Sequence, residues 1–264
     1  MNKRCRVVSL TAAILLTAIG SMAGNSEPNY QGHTLTEWVD QIDPEIPYVA
    51  GSEPPAYNAI RQIGTNAIPT VLKWLATGSV DRARKASFIL SEQLSPAVPE
   101  LTRLALRLKE YKRFDDCVEA LGCIGPKAVP GFKILLTKGR PEVQFAAIEY
   151  LPMLHTNACE LMPCVVKCIV GKDEEVGNKA ADILGRLDVP DSAVTPMLTN
   201  ALAKADAPGR LRIYRAVFWR SRFLYPPNQC ANAISLLKSA LADSNRDVRS
   251  FATNALQDLQ PANR

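Results

Sequence analysis

The stretch FDDCVEALGCIGPKAVPGFKILL, residues 114–136, contains the unit from which the rest of the chain can be read. Apolar side chains lie one residue before Pro130 and two, five and six residues after it: Val129, Phe132, Leu135 and Leu136. These offsets fall on one face of an α-helix. Proline suits the first turn of a helix, because an N–H group there would have no partner within the helix. The stretch therefore predicts one helix over 114–124, a turn at Gly125 and a second, amphipathic helix over 129–136.

The same arrangement recurs around five prolines, which lie 30, 31, 33 and 33 residues apart: Pro69, Pro99, Pro130, Pro163 and Pro196. A fixed period of this size indicates stacked supersecondary units rather than one closed core. Each unit is predicted to contain a first helix, a turn and a second helix that the proline opens. The predicted first helices cover 56–63, 82–94, 114–124, 142–154 and 174–187. The second helix of the fifth unit is predicted to begin at Val194. Gly64 and Gly125, each five residues before a proline, are predicted to be the left-handed residues that end a first helix.

The ends of the repeat array depart from this pattern. The polar stretch 25–33 is expected to be mobile. Leu35, Trp38, Val39 and Ile42 then recur at helical spacing and predict a capping helix over 35–42, with Thr34 and Glu37 spaced as a capping box. A sixth block has a long first helix, Gly209 to Tyr225, then Pro226-Pro227 and a second helix from Cys230 to Leu241. A last amphipathic helix that ends at Leu259 is the predicted C-terminal cap.

Residues 1–23 have the three-part pattern of a secretory signal peptide. Lys3, Arg4 and Arg6 precede the apolar run 7–20, and Ser21-Met22-Ala23 offers small residues at a cleavage site. We expect export to the periplasm or the extracellular space of a bacterium. Membrane anchoring through an uncleaved N-terminal segment is the alternative, although the run is shorter than the ~20 residues that a bilayer span needs. The predicted organisation is a signal peptide or anchor over 1–23, a linker with the capping helix over 24–55, and about six repeats with the cap helix over 56–264.

Composition favours an all-helical chain with little attraction for polyanions. The chain is 47% hydrophobic but only 6% aromatic, and long alternating runs of strand type are absent. The formal net charge is +5. Removal of the three N-terminal cations from the 31 basic residues leaves 28 against 26 acidic ones, a balance of +2. Bulk charge therefore gives no reason to expect a nucleic-acid partner.

Three stretches carry a resemblance to a known family. They are YNAIRQIGTNAIPTVLKWL (57–75), the stretch 114–136 quoted above, and DVRSFATNALQDL (247–259). Their pattern A-x-x-A-L/I-x-x-I-G-x-x-A-x-P-x-L resembles the short HEAT-like repeats of bacterial proteins, including those named after phycobilisome lyases. The resemblance implies an armadillo-like α-solenoid, a superhelical stack of antiparallel helix pairs whose second helices line the concave face. It brings no catalytic residue with it, because these repeats are scaffolds for many partners.

No motif indicates catalysis or a cofactor. The two histidines, His33 and His155, have no second histidine and no carboxylate at metal-ligand spacing on the same element. The chain lacks H-E-x-x-H, a Walker loop, G-x-G-x-x-G and G-x-S-x-G. We therefore expect neither enzymatic activity nor a cofactor. An enzyme is the third hypothesis, and it requires a pocket that brings His155 to distant carboxylates or cysteines.

Six cysteines lie outside the N-terminal segment: Cys117, Cys123, Cys159, Cys164, Cys168 and Cys230. Export would permit disulfides, but a chain of 264 residues does not need them to fold. Metal binding is disfavoured, because Cys-x-x-Cys pairs and added histidines are absent. Cys168 occupies an apolar position of the repeat, five residues after Pro163, so core packing is the preferred interpretation and a disulfide the alternative.

Two groups of cationic residues are candidate binding sites. The first is a row on the second helices, off their apolar faces: Lys73, Arg103, Lys133 and Lys167. Equivalent positions of a solenoid stack across one surface, although lysine and arginine are also common on any solvated face. The second group lies on the long first helix of the sixth block, where Arg212, Arg215, Trp219 and Arg222 cluster within about a quarter turn. Tryptophan and arginine are enriched in binding hot spots, and the alternative is that Trp219 packs against a neighbouring helix.

The sequence predicts an exported, non-enzymatic scaffold that binds another protein on its concave face and at the helix that carries Trp219. The alternative is a module that binds an anionic polymer through the same cations. Polysaccharide, lipid headgroups and nucleic acid are the polymers that such a module would recognise.

Overall fold

The computed structural model describes residues 27–42, 54–93, 95–224 and 231–259. The predicted signal segment, linker residues 43–53, Pro226-Pro227 and Cys230 lie outside the described residues. The chain divides into two compact units, Met1–Ala67 and Ile68–Arg264. Within the described ranges, no helix has both the length and the apolar composition that a membrane crossing requires.

The first unit opens with a two-stranded antiparallel hairpin, β1 (Asn29–Tyr30) and β2 (His33–Thr34). This hairpin lies in the polar stretch that was expected to be mobile. Two hydrogen bonds from the following helix stabilise the hairpin. The N–H of Leu35 donates to the carbonyl of Pro28 at 2.8 Å, and the indole of Trp38 donates to the carbonyl of Tyr30 at 3.1 Å.

The capping helix α1 (Leu35–Asp40) follows directly, and its predicted capping box is confirmed. The N–H of Glu37 donates to Oγ1 of Thr34 at 3.2 Å, and the N–H of Thr34 donates to Oε2 of Glu37 at 2.7 Å. The residues that predicted the helix, Leu35, Trp38, Val39 and Ile42, are buried. Helix α2 (Pro55–Ile63) and a 3-10 turn (Gly64–Ala67) complete the unit.

The second unit is a stack of helices in two alternating layers. The first helices of the repeats are α4 (Val80–Gln93), α6 (Tyr111–Ile124), α8 (Pro141–Glu149), α10 (Glu174–Arg186) and α12 (Ala207–Phe223), followed by α14 (Arg246–Asp258). The second helices are α3 (Ile68–Thr77), α5 (Val98–Arg107), α7 (Val129–Lys138), α9 (Met162–Ile169), α11 (Asp191–Leu202) and α13 (Ala231–Ala240). Each first helix packs against the first helix of the next repeat, and the second helices from α3 to α11 do the same. The predicted all-α solenoid of helix pairs is confirmed.

Counting from each repeat proline, which we call the proline frame, correctly predicts a buried side chain at one position and an exposed side chain at another. Two residues after each proline, the side chain is buried in every block: Val71, Leu101, Phe132, Val165 and Leu198. Four residues after each proline, the side chain is exposed in every block: Lys73, Arg103, Ile134, Lys167 and Asn200. These two positions lie on opposite faces of the second helix, so the helix is amphipathic in the sense that the sequence predicted.

One proline departs from the predicted role. Pro69, Pro99, Pro130 and Pro163 are each the second residue of their helix, whereas Pro196 lies inside α11, which begins at Asp191. The predicted start at Val194 was wrong, because the fifth block lacks the 3-10 turn that precedes the second helix in the four earlier blocks. There, Leu187 and Pro190 instead have an extended backbone.

Positive φ angles mark the turn between the first and second helices. Gly64 (φ 58°) and Gly125 (φ 73°) both have the positive φ that was predicted for them. In the fourth block, two 3-10 segments cover Leu151–Leu161 and meet at a kink at His155, which takes the matching conformation with φ 48° and ψ −134°. A residue with a side chain rarely adopts this region, so His155 carries about 1–3 kcal/mol of backbone strain.

Arginine side chains connect successive inter-repeat turns. Arg113, at the start of α6, donates to the carbonyls of Leu75 and Gly78 at 3.3 and 3.1 Å. Arg140, which precedes α8, donates to the carbonyl of Leu108 at 2.6 Å. Arg210, at the start of α12, binds the carboxylate of Asp243 in the following turn through two hydrogen bonds of 2.7 and 2.8 Å. Since a helix leaves its last carbonyls without partners in the helix, Arg113 and Arg140 supply donors at the ends of α3 and α5, whereas Arg210 pairs with a carboxylate.

We expect His155→Gly to raise the free energy of unfolding by about 1 kcal/mol, because glycine adopts the observed φ without strain. His155 is exposed, so little packing is lost with the imidazole. The matched reverse change is Gly125→Ala, which should lower the free energy of unfolding by about 1 kcal/mol. No atom lies within 4 Å of a Cβ added at Gly125, so this variant tests the backbone alone. Urea denaturation followed by circular dichroism measures both, and equal stability of His155→Gly and the wild type would contradict the assigned strain.

Candidate interaction surface

Helix α12 carries one of the two predicted sites, and its N-terminus is well defined. The carboxylate of Asp206 accepts a hydrogen bond from the N–H of Gly209 at 2.9 Å, and Pro208 lies in the first turn. Both features favour the start of a helix at this point. The helix packs most extensively against α10 of the preceding repeat.

Two glycines of α10 allow this close approach. A Cβ added at Gly185 would lie 2.5 Å from Cβ of Trp219, and one added at Gly177 would lie 2.3 Å from Nη1 of Arg212. Either distance is shorter than van der Waals contact allows. The positions of Arg212 and Trp219 therefore require glycine at residues 177 and 185.

Arg212 does not lie on the exposed surface where the sequence placed it. Its side chain is 5% exposed, and its guanidinium donates to the carbonyls of Gly171 and Asp173 at 2.9 and 3.3 Å. Arg212 is therefore another arginine that reaches back to an earlier inter-repeat turn, here the turn between α9 and α10. The predicted cluster of four separates into this buried residue and three that reach the surface, Arg215, Trp219 and Arg222.

Arg220 is a buried residue that the sequence reasoning missed. It is 3% exposed and donates to the carbonyls of Leu184, Leu187 and Val189 at 2.9, 3.1 and 2.7 Å. It also binds the carboxylate of Asp191 at 2.9 and 3.0 Å. These bonds hold the extended segment that replaces the 3-10 turn of the fifth block. The helical spacing of Arg220 from the buried Ile213 and Val217 was the available signal.

The exposed side of α12 presents stacked aromatic rings among arginines. The rings of Trp219 and Phe223 stack with centroids 5.3 Å apart and an angle of 12° between their planes. Phe223 is 55% exposed, and the guanidinium of Arg186 lies 5.5 Å from its ring centre. We call Arg186, Arg215, Trp219, Arg222 and Phe223 the aromatic–arginine surface.

A groove of about 240 Å³ continues this surface between α10, α12 and α14. It is lined by Asn178, Ala181, Asp182, Arg215, Trp219 and Phe251. Asp182 is paired with Arg186, whose Nη2 lies 2.9 Å from its carboxylate. The groove is thus bounded by two aromatic rings, a polar amide, a paired carboxylate and the exposed guanidinium of Arg215.

The second predicted site, the cationic row, is also on the surface. Lys73, Arg103, Lys133 and Lys167 are all exposed, and they lie on the adjacent second helices α3, α5, α7 and α9. Arg103 is paired with Glu100 on its own helix. The row is therefore accessible, with one of its four charges neutralised locally.

The described cysteines are free thiols that differ in exposure. Cys117, Cys164 and Cys168 are buried, whereas Cys123 is exposed and Cys159 is half-buried. Burial raises the pKa of the Cys168 thiol to about 11, and the neighbouring Cys164 adds to the shift. No disulfide joins the five described cysteines, and no group of three or more metal-ligating side chains occurs among the described residues. The predicted burial of Cys168 is confirmed.

The comparisons with known proteins find a similar fold in solved structures. No protein-family model matches the chain, and no curated protein matches it either. An engineered protein is 18% identical over 74% of this chain and 99% of its own, with a TM-score of 0.38. The complex of CpcE and CpcF of phycocyanin lyase from Nostoc sp. PCC7120 is 19% identical over 61% and 98%, with a TM-score of 0.44. Cex1p is 16% identical over 77% and 43%, with a TM-score of 0.46. These similarities concern the helical-repeat fold alone.

We expect Arg220→Met to lower the free energy of unfolding by about 3 kcal/mol, because it leaves buried carbonyls without donors. Arg215→Met is the matched control on the same helix. Its guanidinium is exposed, so its effect should stay within about 0.5 kcal/mol. Chemical denaturation of the two variants measures the difference. A similar small effect for both would show that Arg220 does not hold the segment before Asp191.

Proposed function

We propose that the chain is an exported, non-enzymatic scaffold that binds another protein through the aromatic–arginine surface. The observation that carries the proposal is the stacked pair Trp219 and Phe223, which remains on the surface beside Arg186 and Arg215. An exposed apolar patch that polar residues surround is typical of an interaction site. Tryptophan and arginine are also the residues most enriched among binding hot spots.

The chemistry of the surface indicates the kind of partner. The guanidinium of Arg215 borders the groove, and Asp182, the carboxylate in the groove, is already paired with Arg186. A partner segment with an apolar side chain next to a carboxylate would contact both the rings and Arg215. Such a contact pairs a hydrophobic centre with a charged rim, as in typical protein interfaces.

Binding of an anionic polymer is the second candidate, and the exposed cationic row favours it. Lys73, Lys133 and Lys167 lie on neighbouring helices and could contact successive charges of a polymer. Affinity for a polyanion falls steeply with salt, because bound counterions are released. A contact centred on Trp219 and Phe223 depends weakly on salt, since apolar burial supplies most of its free energy.

We expect Trp219→Ala and Phe223→Ala each to weaken binding of the partner by at least tenfold, because truncated hot-spot residues cost about 2 kcal/mol or more. Tyr111→Ala is the matched control, since Tyr111 on α6 is 52% exposed and Phe223 is 55% exposed. The wild type and the variants are used to capture partners from an extracytoplasmic fraction. The captured partner is then purified and titrated at low and high salt.

Several results would contradict the proposal. Equal affinity of all three variants and the wild type would exclude the aromatic–arginine surface as the binding site. A steep loss of affinity with salt, together with loss on Lys73→Gln and Lys133→Gln, would establish the polymer-binding alternative. Export is tested separately by intact mass, which should show a chain that begins after Ala23. A full-length chain in the cytoplasmic fraction would contradict export without bearing on the binding surface.

A further inference from the structure

A cleft of about 290 Å³ lies at the junction between the third and fourth inter-repeat turns. The end of α7, the end of α9 and the start of α10 form its walls. At the neighbouring junctions, arginines such as Arg140 and Arg212 donate to the turn carbonyls. At this junction, the carbonyl of Leu136 instead accepts from the side-chain amide of Gln144 at 3.0 Å and from the thiol of Cys168 at 3.9 Å.

Two thiols line this cleft. Cys164 and Cys168 are four residues apart on α9, which places their Cβ atoms about 5–6 Å apart on one face of the helix. Each residue is 7% exposed, so both thiols are sheltered but reach the cleft. The equivalent positions of the other blocks hold no cysteine: Thr70 and Trp74, Glu100 and Leu104, Gly131 and Leu135, and Met197 and Ala201. The dithiol is thus particular to the block whose junction is open.

We propose that Cys164 and Cys168 together bind one soft monovalent metal ion of the Cu(I) type in a two-coordinate site. Thiolate ligands select such ions over harder cations. Two thiols and one Cu(I) give a bis-thiolate complex and release two protons, without any change of oxidation state. Each metal–sulfur bond of roughly 2.3 Å requires the two sulfur atoms to lie less than about 5 Å apart, which the spacing of the Cβ atoms permits.

The charges around the cleft suit the product of this reaction. A Cu(I) ion held by two thiolates carries a net charge of −1. Lys167 and Lys172 both line the cleft and supply positive charge next to it. The carboxylate of Asp173, the acidic residue of the lining, already accepts from the N–H of Val176 at 2.9 Å. The cleft therefore offers the complex two cations and one carboxylate that is engaged in capping α10.

Anaerobic titration with Cu(I) held by a coloured chelator tests the site in the full-length chain. The wild type should remove one equivalent of Cu(I) from the chelator. Cys164→Ser and Cys168→Ser should each lower the affinity at least 100-fold, because a single thiolate remains. The double control Cys123→Ser with Cys159→Ser should bind as the wild type does. Lys167→Gln with Lys172→Gln should keep one equivalent but bind it more weakly.

A second measurement on the wild type alone avoids any folding defect of the variants. Cu(I) should protect Cys164 and Cys168 from a maleimide reagent and leave Cys123 reactive, as peptide mass mapping would show. Failure of the wild type to compete with the chelator would overturn the proposal. So would unchanged tight binding in the Cys164→Ser, Cys168→Ser double variant, or protection of other thiols in place of this pair.

Discussion

The carbonyl groups at the ends of the second helices impose the constraint on which the stack depends. Each helix leaves its last carbonyls without partners within the helix, and a buried carbonyl without a partner is destabilising. Guanidinium groups meet this demand, because one side chain presents several donors in a fixed plane. Arg113, Arg140 and Arg212 each reach back from one repeat to a turn of an earlier one. The stack is therefore joined by polar contacts at its turns as well as by apolar packing between its layers.

The need for hydrogen-bond donors at the turns also explains why some arginines of α12 are buried and others are exposed. Arg212 and Arg220 lie on the buried side of the helix and are used to hold the turns of the preceding repeats. Arg215 is exposed and borders the groove beside Trp219. Residue type alone does not distinguish these arginines, whereas their contacts with the preceding repeats do. The glycines of α10 add to this division, since the approach that they permit also fixes Trp219 at the edge of the surface.

The regular part of the fold could be predicted because its causes are local. The proline frame and the capping box of α1 follow from helical periodicity and from the geometry of a first turn. The early start of α11 could not be predicted in this way, because it depends on Arg220, which lies 29 residues after its partner Asp191 in the chain. The positive φ of His155 could not be predicted either, because a positive φ is normally expected at glycine and not at histidine. In the candidate site, the arginine and tryptophan types were visible, whereas the burial of Arg212 required the neighbouring helix.

The fourth, fifth and sixth blocks each depart from the regular repeat, and these departures indicate where a binding function would lie. In the third block, the 3-10 turn, the glycine and the proline all follow the repeat pattern, and the four apolar side chains of the frame, Val129, Phe132, Leu135 and Leu136, are buried. The fourth block has His155 in the strained position and a dithiol at an open junction. The fifth replaces its turn by an extended segment, and the sixth exposes Phe223. Stability alone favours the regular solution, so residues that depart from it without a gain in packing are the ones for which binding is the better explanation.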